Sequence, residues 1–162
     1  MTTASKYLAT YLNDHLAGST SGLELVRRAA NENEGSELGA FLASLASEIQ
    51  ADRDTLKEIM AALGVGEDRL KVAAGWLFEK LGRLKPNGQL TGYSPLSPLV
   101  ELEGLSLGVR GKLAMWQALL QIAGSPPLDA PRLQELAQRA ERQHADLERH
   151  RLQVARSALA PR

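Results

Sequence analysis

Residues 36–63 read SELGAFLASLASEIQADRDTLKEIMAAL, and this stretch decides the fold. Apolar residues recur in it at alternating steps of four and three, which is the spacing of one face of an α-helix. That face consists of Leu38, Leu42, Leu45, Ile49, Asp52, Leu56, Ile59 and Leu63. All of these residues except Asp52 are aliphatic. The stretch therefore predicts a long amphipathic helix, capped by Ser36 and ended by Gly64, with one acid on its buried face.

The same periodicity predicts helices at about residues 4–32, 98–123 and 129–158, and a shorter helix at 66–84. In the fourth long helix Asp129 is the predicted cap, with Pro131 in the first turn. Short turns separate the first two helices and the last two. The long segment that joins these two hairpins carries the helix at 66–84.

The first predicted helix contains the run Gly18-Ser19-Thr20-Ser21-Gly22, which is a poor helix former. The apolar phase of residues 4–32 passes through this run unbroken. We therefore expect one continuous helix, and a break within the run is the alternative.

Composition agrees with an all-α class. The apolar residues are mainly leucine and alanine, and aromatic residues amount to 4% of the chain. All seven prolines follow residue 85, at predicted helix ends, first turns or loops. A chain of 162 residues suits a single domain. We predict one helical-bundle domain over residues 1–162, made of two hairpins joined by a long crossover.

A second polar residue, His15, lies on the apolar face of the first predicted helix. If the first hairpin turns near residues 33–34, His15 and Asp52 each lie roughly 27 Å from the turn and so at one height. The two side chains then form either a structural hydrogen-bonded contact that sets helix register or part of a metal site.

The fourth helix carries Glu141 and His144, whose spacing lets a carboxylate and an imidazole reach one metal ion. The helix order and this Glu-x-x-His pair resemble the ferritin-like superfamily. Di-iron members of that superfamily take such a pair from each of two helices and one glutamate from each of the other two. The resemblance implies a ferritin-like four-helix bundle. Its candidate metal ligands are His15, Glu48, Asp52, Glu141 and His144.

The candidate ligand set departs from the di-iron pattern. The second helix has Glu48 but no histidine after it, and the acids of the third helix, Glu101 and Glu103, lie in its first turn and offer no inward carboxylate. A di-iron site of this type uses about six protein ligands, more than this chain supplies. We therefore expect no cofactor, with one iron, manganese or zinc ion as the alternative.

Other polar residues of the second hairpin are assigned to structural roles. Arg110 is level with His144 and is expected to pair with Glu141 or Glu148 as a further structural contact. His150 is expected at the surface. Four arginines lie broadly along one side of the fourth helix, and interleaved acids favour a solvated face over a nucleic-acid-binding stripe. They are Arg139, Arg142, Arg149 and Arg156.

The crossover helix at 66–84 contains Trp76, Leu77 and Phe78, which put apolar bulk on adjacent faces. One of these faces has to cover the bundle. The other is a candidate interface, and a homodimer or another protein partner is the expected occupant.

The charge balance and the lack of certain segments narrow the function. Nineteen basic residues balance nineteen acidic ones, which argues against nucleic acid, and the chain has no cysteine. Without a signal-like segment or an apolar stretch of about 18 residues, we expect a cytoplasmic protein with no membrane contact. The expected function is a non-catalytic ferritin-like bundle acting as a scaffold or interaction protein.

Two alternatives to that function stay open. One is a metal-binding ferritin-like protein or oxidoreductase with a reduced ligand set. The other is a bundle that holds an apolar ligand between its helices, where Gly18, Ser19 and Gly22 thin the wall.

Overall fold

The computed structural model describes residues 5–68, 92–124 and 126–160. Within these ranges the chain forms four long helices, which confirms the all-α class. They are α1 (Lys6–Glu32), α2 (Glu37–Ala62), α3 (Ser97–Leu120) and α4 (Ala130–Leu159). The predicted helix at 66–84 falls largely outside the described residues. The first three residues of this predicted helix, 66–68, are described and are not helical.

Three of the helices begin at side-chain caps. The hydroxyls of Ser5 and Ser36 accept hydrogen bonds from the backbone amides of Leu8 and Gly39, and the carboxylate of Asp129 accepts one from the amide of Arg132. These bonds satisfy amides that have no partner inside the helix. The predicted caps at Ser36 and Asp129 are confirmed, and Pro131 lies in the first turn of α4 as expected.

Helix α1 runs unbroken through the serine and glycine run that follows Ala17. The hydroxyls of Ser19 and Thr20 both donate to the carbonyl oxygen of Leu16, and the hydroxyl of Ser21 donates to that of Ala17. These hydroxyls therefore bond to carbonyl oxygens of the preceding helical turn and do not interrupt the helix. The predicted continuity of α1 is confirmed.

The turn between α1 and α2 requires two glycines. Gly35 has a φ of +80°, in the left-handed region that favours glycine. At Gly39 a Cβ atom would lie 2.1 Å from the carbonyl oxygen of Asn33, so the first turn of α2 packs directly against the backbone of the turn. A larger residue at position 39 would push α2 away from α1.

Contacts between helices fix their directions. Arg28, near the end of α1, bonds to Glu101 near the start of α3, so these two helices are antiparallel. Arg132 at the start of α4 pairs with Glu58 near the end of α2, so these helices are antiparallel too. Helices α1 and α3 pack closely, as do the partners within each hairpin, whereas α2 and α4 approach each other less closely.

The two ends of the crossover lie at opposite ends of the bundle. Val65, after α2, belongs to the same apolar cluster as Leu12 at the start of α1. Tyr93, before α3, bonds to Asn33 at the far end of α1. The chain therefore passes from one end of the bundle to the other between residues 68 and 92.

The core consists of two apolar clusters stacked along the bundle axis. The lower cluster, at the end of the bundle where α1 starts, surrounds the fully buried Trp116 and includes Leu12, Leu56, Leu113, Leu133 and Ala140. The upper cluster includes Val26, Leu45, Ile49, Val109 and Leu147. In every helix the residues between the two clusters include a polar side chain, and three of these side chains meet inside the bundle.

Candidate functional site

A layer of polar side chains separates the lower and upper clusters. Asp52 of α2, Lys112 of α3 and Gln143 of α4 form it, and we call them the polar layer. Asp52 and Gln143 are buried, and the Lys112 side chain is 14% exposed. Each residue lies between a member of the upper cluster and a member of the lower cluster on its own helix.

The Lys112 ammonium lies at the centre of the polar layer. Its Nζ donates to Asp52 Oδ2 at 2.5 Å and also donates to Gln143 Oε1. The amide nitrogen of Gln143 donates to Asp52 Oδ2 at 3.2 Å. The three side chains thus form a closed set of contacts that joins three helices. Lys112 reaches Asp52 from the diagonally opposite helix.

Two more charged side chains border the polar layer where α2 faces α4. Gln143 Nε2 also donates to Glu48 Oε2 at 2.9 Å, and Glu48 itself is exposed. Arg139 Nη1 lies 3.2 Å from Asp52 Oδ1 as an ion pair, although this oxygen accepts no hydrogen bond. Glu48 and Arg139 connect the layer to the surface between the two more widely spaced helices.

The charges within the polar layer compensate one another. Burial lowers the pKa of the Lys112 ammonium, and the neighbouring carboxylate of Asp52 opposes that shift. A buried carboxylate without a cation is costly, so Lys112 and Arg139 together allow Asp52 to remain in the core. Chemically, the arrangement is a carboxylate and an amide oxygen already occupied by a protein cation.

His15 lies away from the polar layer, so the structure does not bring it to Asp52 as expected. Its ring packs edge-on against Tyr11, with the ring centroids 4.6 Å apart, and burial lowers its pKa. The expected register assumed an earlier turn centre. On α1 the residue opposite this part of α2 is Thr20, whose hydroxyl accepts a hydrogen bond from Arg53, the neighbour of Asp52.

The inward face of α4 includes Gln143, whereas Glu141 is exposed and His144 is only half-buried. The structure therefore brings Glu48 and Asp52 together through Gln143 but does not add Glu141 or His144 to them. Within residues 5–68, 92–124 and 126–160, no group of three or more histidine, aspartate and glutamate side chains is placed to hold a metal ion.

Arg110 is exposed and does not make the expected contact with Glu148. Glu148 instead accepts a hydrogen bond from Ser106 at 2.6 Å and pairs with Arg151 at 2.7 Å. These two bonds lower the pKa of Glu148 to about 2. They replace the predicted contact with a different polar link between α3 and α4.

The sequence analysis does not identify Lys112 or Gln143, and it assigns Arg139 to a solvated face although this arginine pairs with Asp52. Lys112 follows Val109 by three residues and precedes Trp116 by four, so it shares their helix face. Gln143 has the same relation to Ala140 and Leu147. This spacing predicts an inward position for both residues, although neither is an acid or a histidine.

A second polar cluster lies at the end of the bundle where α1 ends and α3 begins. Glu101 is buried, which corrects the expectation that α3 has no inward carboxylate. It accepts a hydrogen bond from the Tyr93 hydroxyl at 2.6 Å and pairs with Arg28 at 3.1 Å. Burial and the bond to Glu101 raise the pKa of Tyr93. The cluster fixes the start of α3 to the end of α1.

His150 is buried rather than at the surface, and its ring stacks on Phe41 with the centroids 4.1 Å apart. Burial lowers its pKa, and the nearby charge of Arg149 lowers it further. Beyond His150, an open cleft of about 380 Å³ lies where the α1–α2 turn meets both ends of the second hairpin. Leu38, Pro98 and Val154 are among the residues that line it.

The candidate interface residues Trp76 and Phe78 lie outside the described residues. In α1, a Cβ atom built on Gly18 or Gly22 would meet open space. The proposed thin wall at these glycines therefore remains a prediction.

No protein-family model matches the chain, and neither a curated protein nor a solved structure matches it. No helix in the described part of the chain is both long enough and apolar enough to cross a membrane.

Proposed function

We propose that this chain is a non-catalytic, ferritin-like helical bundle that serves as a scaffold or interaction module. The helix order and directions support the ferritin-like part of the proposal. The two hairpins pack side by side, with α1 antiparallel to α3 and α2 antiparallel to α4. The segment that joins them starts at one end of the bundle and finishes at the other. This is the arrangement of a four-helix bundle with one long crossover.

The position of the Lys112 ammonium carries the non-catalytic part of the proposal. In a metal-dependent bundle a bound cation lies among inward carboxylates of facing helices. Here Nζ of Lys112 contacts Asp52 Oδ2 and Gln143 Oε1, so a protein cation takes the place that a metal ion would need. A metal ion at this point would face repulsion from Lys112 and from Arg139.

The alternative is a metal-binding protein with a reduced ligand set, using one iron, manganese or zinc ion. One observation favours it: Glu48 and Asp52 are held near each other by the same amide of Gln143. These two carboxylates could bind a cation if Lys112 moved away.

Metal analysis distinguishes the two functions. We expect protein purified after growth with added iron, manganese and zinc to contain far less than one metal ion per chain. We also expect Lys112→Ala to bind Mn²⁺ more tightly than the wild type in a titration, because the substitution removes the ammonium that occupies Asp52 Oδ2 and leaves only Arg139 beside that carboxylate. Lys57→Ala is the matched control, since Lys57 pairs with Glu67 on the surface.

A stoichiometric metal ion in the wild type that disappears in Asp52→Asn would contradict the proposal. Such a result would favour the metal-binding alternative. Circular dichroism of each variant checks that the helices are retained.

A further inference from the structure

The outer face of α4 carries two parallel rows of residues at seven-residue spacing. One row consists of Ala145, Leu152 and Leu159, and the other of Arg142, Arg149 and Arg156. We call the two rows together the outer stripe of α4. All six residues are exposed, and Leu152 and Leu159 are 59% and 65% exposed.

The stripe agrees in part with the solvated face that the sequence predicts, because Arg142, Arg149 and Arg156 are exposed. Of the four arginines in that prediction, Arg139 turns inward to Asp52. Arg149 pairs with Asp146 at 3.0 Å, with both side chains more than half exposed. Within the described ranges, Arg142 and Arg156 form no ion pair. The stripe thus has exposed leucines beside positive charge that the chain itself leaves largely uncompensated.

From the geometry we infer that the outer stripe of α4 is a docking surface for an acidic amphipathic helix of a protein partner. This inference rests on the proposed role as an interaction module. Apolar residues repeated every seven positions match the apolar seam of a second helix. From Arg142 to Leu159 the stripe is about 26 Å long, enough to contact several turns of that helix.

Charge selects an acidic partner. A helix that lies on the row of leucines brings its own flanking residues next to Arg142, Arg149 and Arg156. Glutamates or aspartates at those flanking positions would be attracted, and lysines or arginines would be repelled.

A second copy of this chain fits the stripe less well. If two α4 helices packed antiparallel about a two-fold axis, each arginine row would face the arginine row of the other copy. In a parallel pair the arginines would face the opposite flank, which offers exposed Glu141, then Glu148 already bound by Ser106 and Arg151, and then Ala155. Both arrangements leave the arginine row poorly compensated.

A membrane surface also fits less well. A helix lying on a bilayer buries a broad apolar face. Here the inner face of α4 is occupied by the core, and its outer face offers only a narrow row with two leucines. A helix of a protein partner is therefore the occupant that fits the stripe.

Two labelled peptides test the inference on the full chain by fluorescence anisotropy. Both have three heptads with leucine at the a and d positions, and one carries glutamate and the other lysine at the e and g positions. We expect the glutamate peptide to bind at least tenfold more tightly than the lysine peptide. We also expect its affinity to fall at least tenfold in Arg142→Glu/Arg149→Glu/Arg156→Glu and in Leu152→Ser/Leu159→Ser.

The control for net charge is Lys6→Glu/Arg27→Glu/Lys57→Glu, which makes the same change in charge on the first hairpin. We expect this variant to keep binding within threefold of the wild type. Equal binding of the two peptides, or equal loss in the control and in the stripe variant, would overturn the inference.

Two further results would also overturn it. One is a wild-type dimer in sedimentation equilibrium that becomes monomeric in Leu152→Ser/Leu159→Ser. The other is binding to phosphatidylserine-containing vesicles that the arginine variant loses. Failure of the peptide test with metal-free wild-type protein rejects the docking surface alone, whereas stoichiometric metal rejects the proposed function itself.

Discussion

At the scale of single residues, the fold removes two histidine rings from water without giving them an acidic hydrogen-bond partner. His15 packs on Tyr11, and His150 stacks on Phe41 while being only 5% exposed. Burial favours the neutral ring in each case and lowers its pKa. For His150 the attraction of Glu37 and Asp146 is smaller than the combined effect of burial and Arg149.

These shifts predict how stability depends on pH. A histidine whose pKa is lower in the folded than in the unfolded chain takes up its proton more readily on unfolding. The free energy of unfolding should therefore fall as the pH drops below the ordinary value of 6.5. We expect His150→Leu to flatten this loss between pH 6.5 and 5 in urea denaturation, and His144→Leu to leave it in place. An equal slope for wild type and His150→Leu would contradict the prediction.

At the scale of helices, the sequence predicts which segments are helical better than it predicts which side chains face inward. Ser36 and Asp129 are evident caps because their position before an apolar repeat is a local signal. On α4 the candidate ligand His144 is only half-buried, and the buried polar residues are Gln143 and His150. Periodicity cannot identify polar residues that are buried because of partners on other helices, and those partners depend on register.

Asn13 shows how a buried polar residue positions a neighbouring segment. Its amide nitrogen donates to the carbonyl oxygens of Ala9 and Gly66, and its oxygen accepts a hydrogen bond from the amide of Asp68 at 2.7 Å. These bonds fasten the chain that leaves α2 to the first helix. The sequence gives no local sign of this contact, because Asn13 and Gly66 lie far apart in the chain.

Replacing Asn13 by alanine should release that segment. We expect a loss of about 1–2 kcal/mol in the free energy of unfolding, because two long-range hydrogen bonds to backbone groups disappear. Hydrogen exchange at the amide of Asp68 should accelerate in the same variant. Asn31→Ala, at an exposed site of α1, is the control and should change neither quantity. Unchanged exchange at Asp68 in Asn13→Ala would show that another contact holds the segment.

At the scale of the whole molecule, the polar layer divides the core into lower and upper clusters. A continuous apolar seam would let one hairpin slide along the other by a helical turn at little cost. Asp52, Lys112 and Gln143 come from three helices and hydrogen-bond to one another, so a shift by one helical turn would separate them. The sequence singles out Asp52 as the exception on α2, but only the assembled bundle shows that its cation comes from the diagonal helix.

This arrangement predicts opposite effects for partial and complete removal of the polar layer. Lys112→Met alone should lower the free energy of unfolding by about 3 kcal/mol, because it leaves the buried carboxylate of Asp52 to Arg139. Asp52→Leu/Lys112→Met/Gln143→Leu should recover most of that loss, because it joins the two apolar clusters and buries no charge. Lys57→Met, which breaks a surface ion pair, should change stability by less than about 1 kcal/mol.

Urea denaturation followed by circular dichroism measures these free energies, and amide NMR spectra report whether one register is kept. If the polar layer sets the register, the triple variant should be stable and yet show broadened or duplicated amide signals in α2 and α3. A triple variant as unstable as Lys112→Met would mean that the layer contributes packing rather than charge compensation. A stable triple variant with a single sharp set of signals would mean that the apolar clusters, together with the Glu101 and Tyr93 contacts, set the register without it.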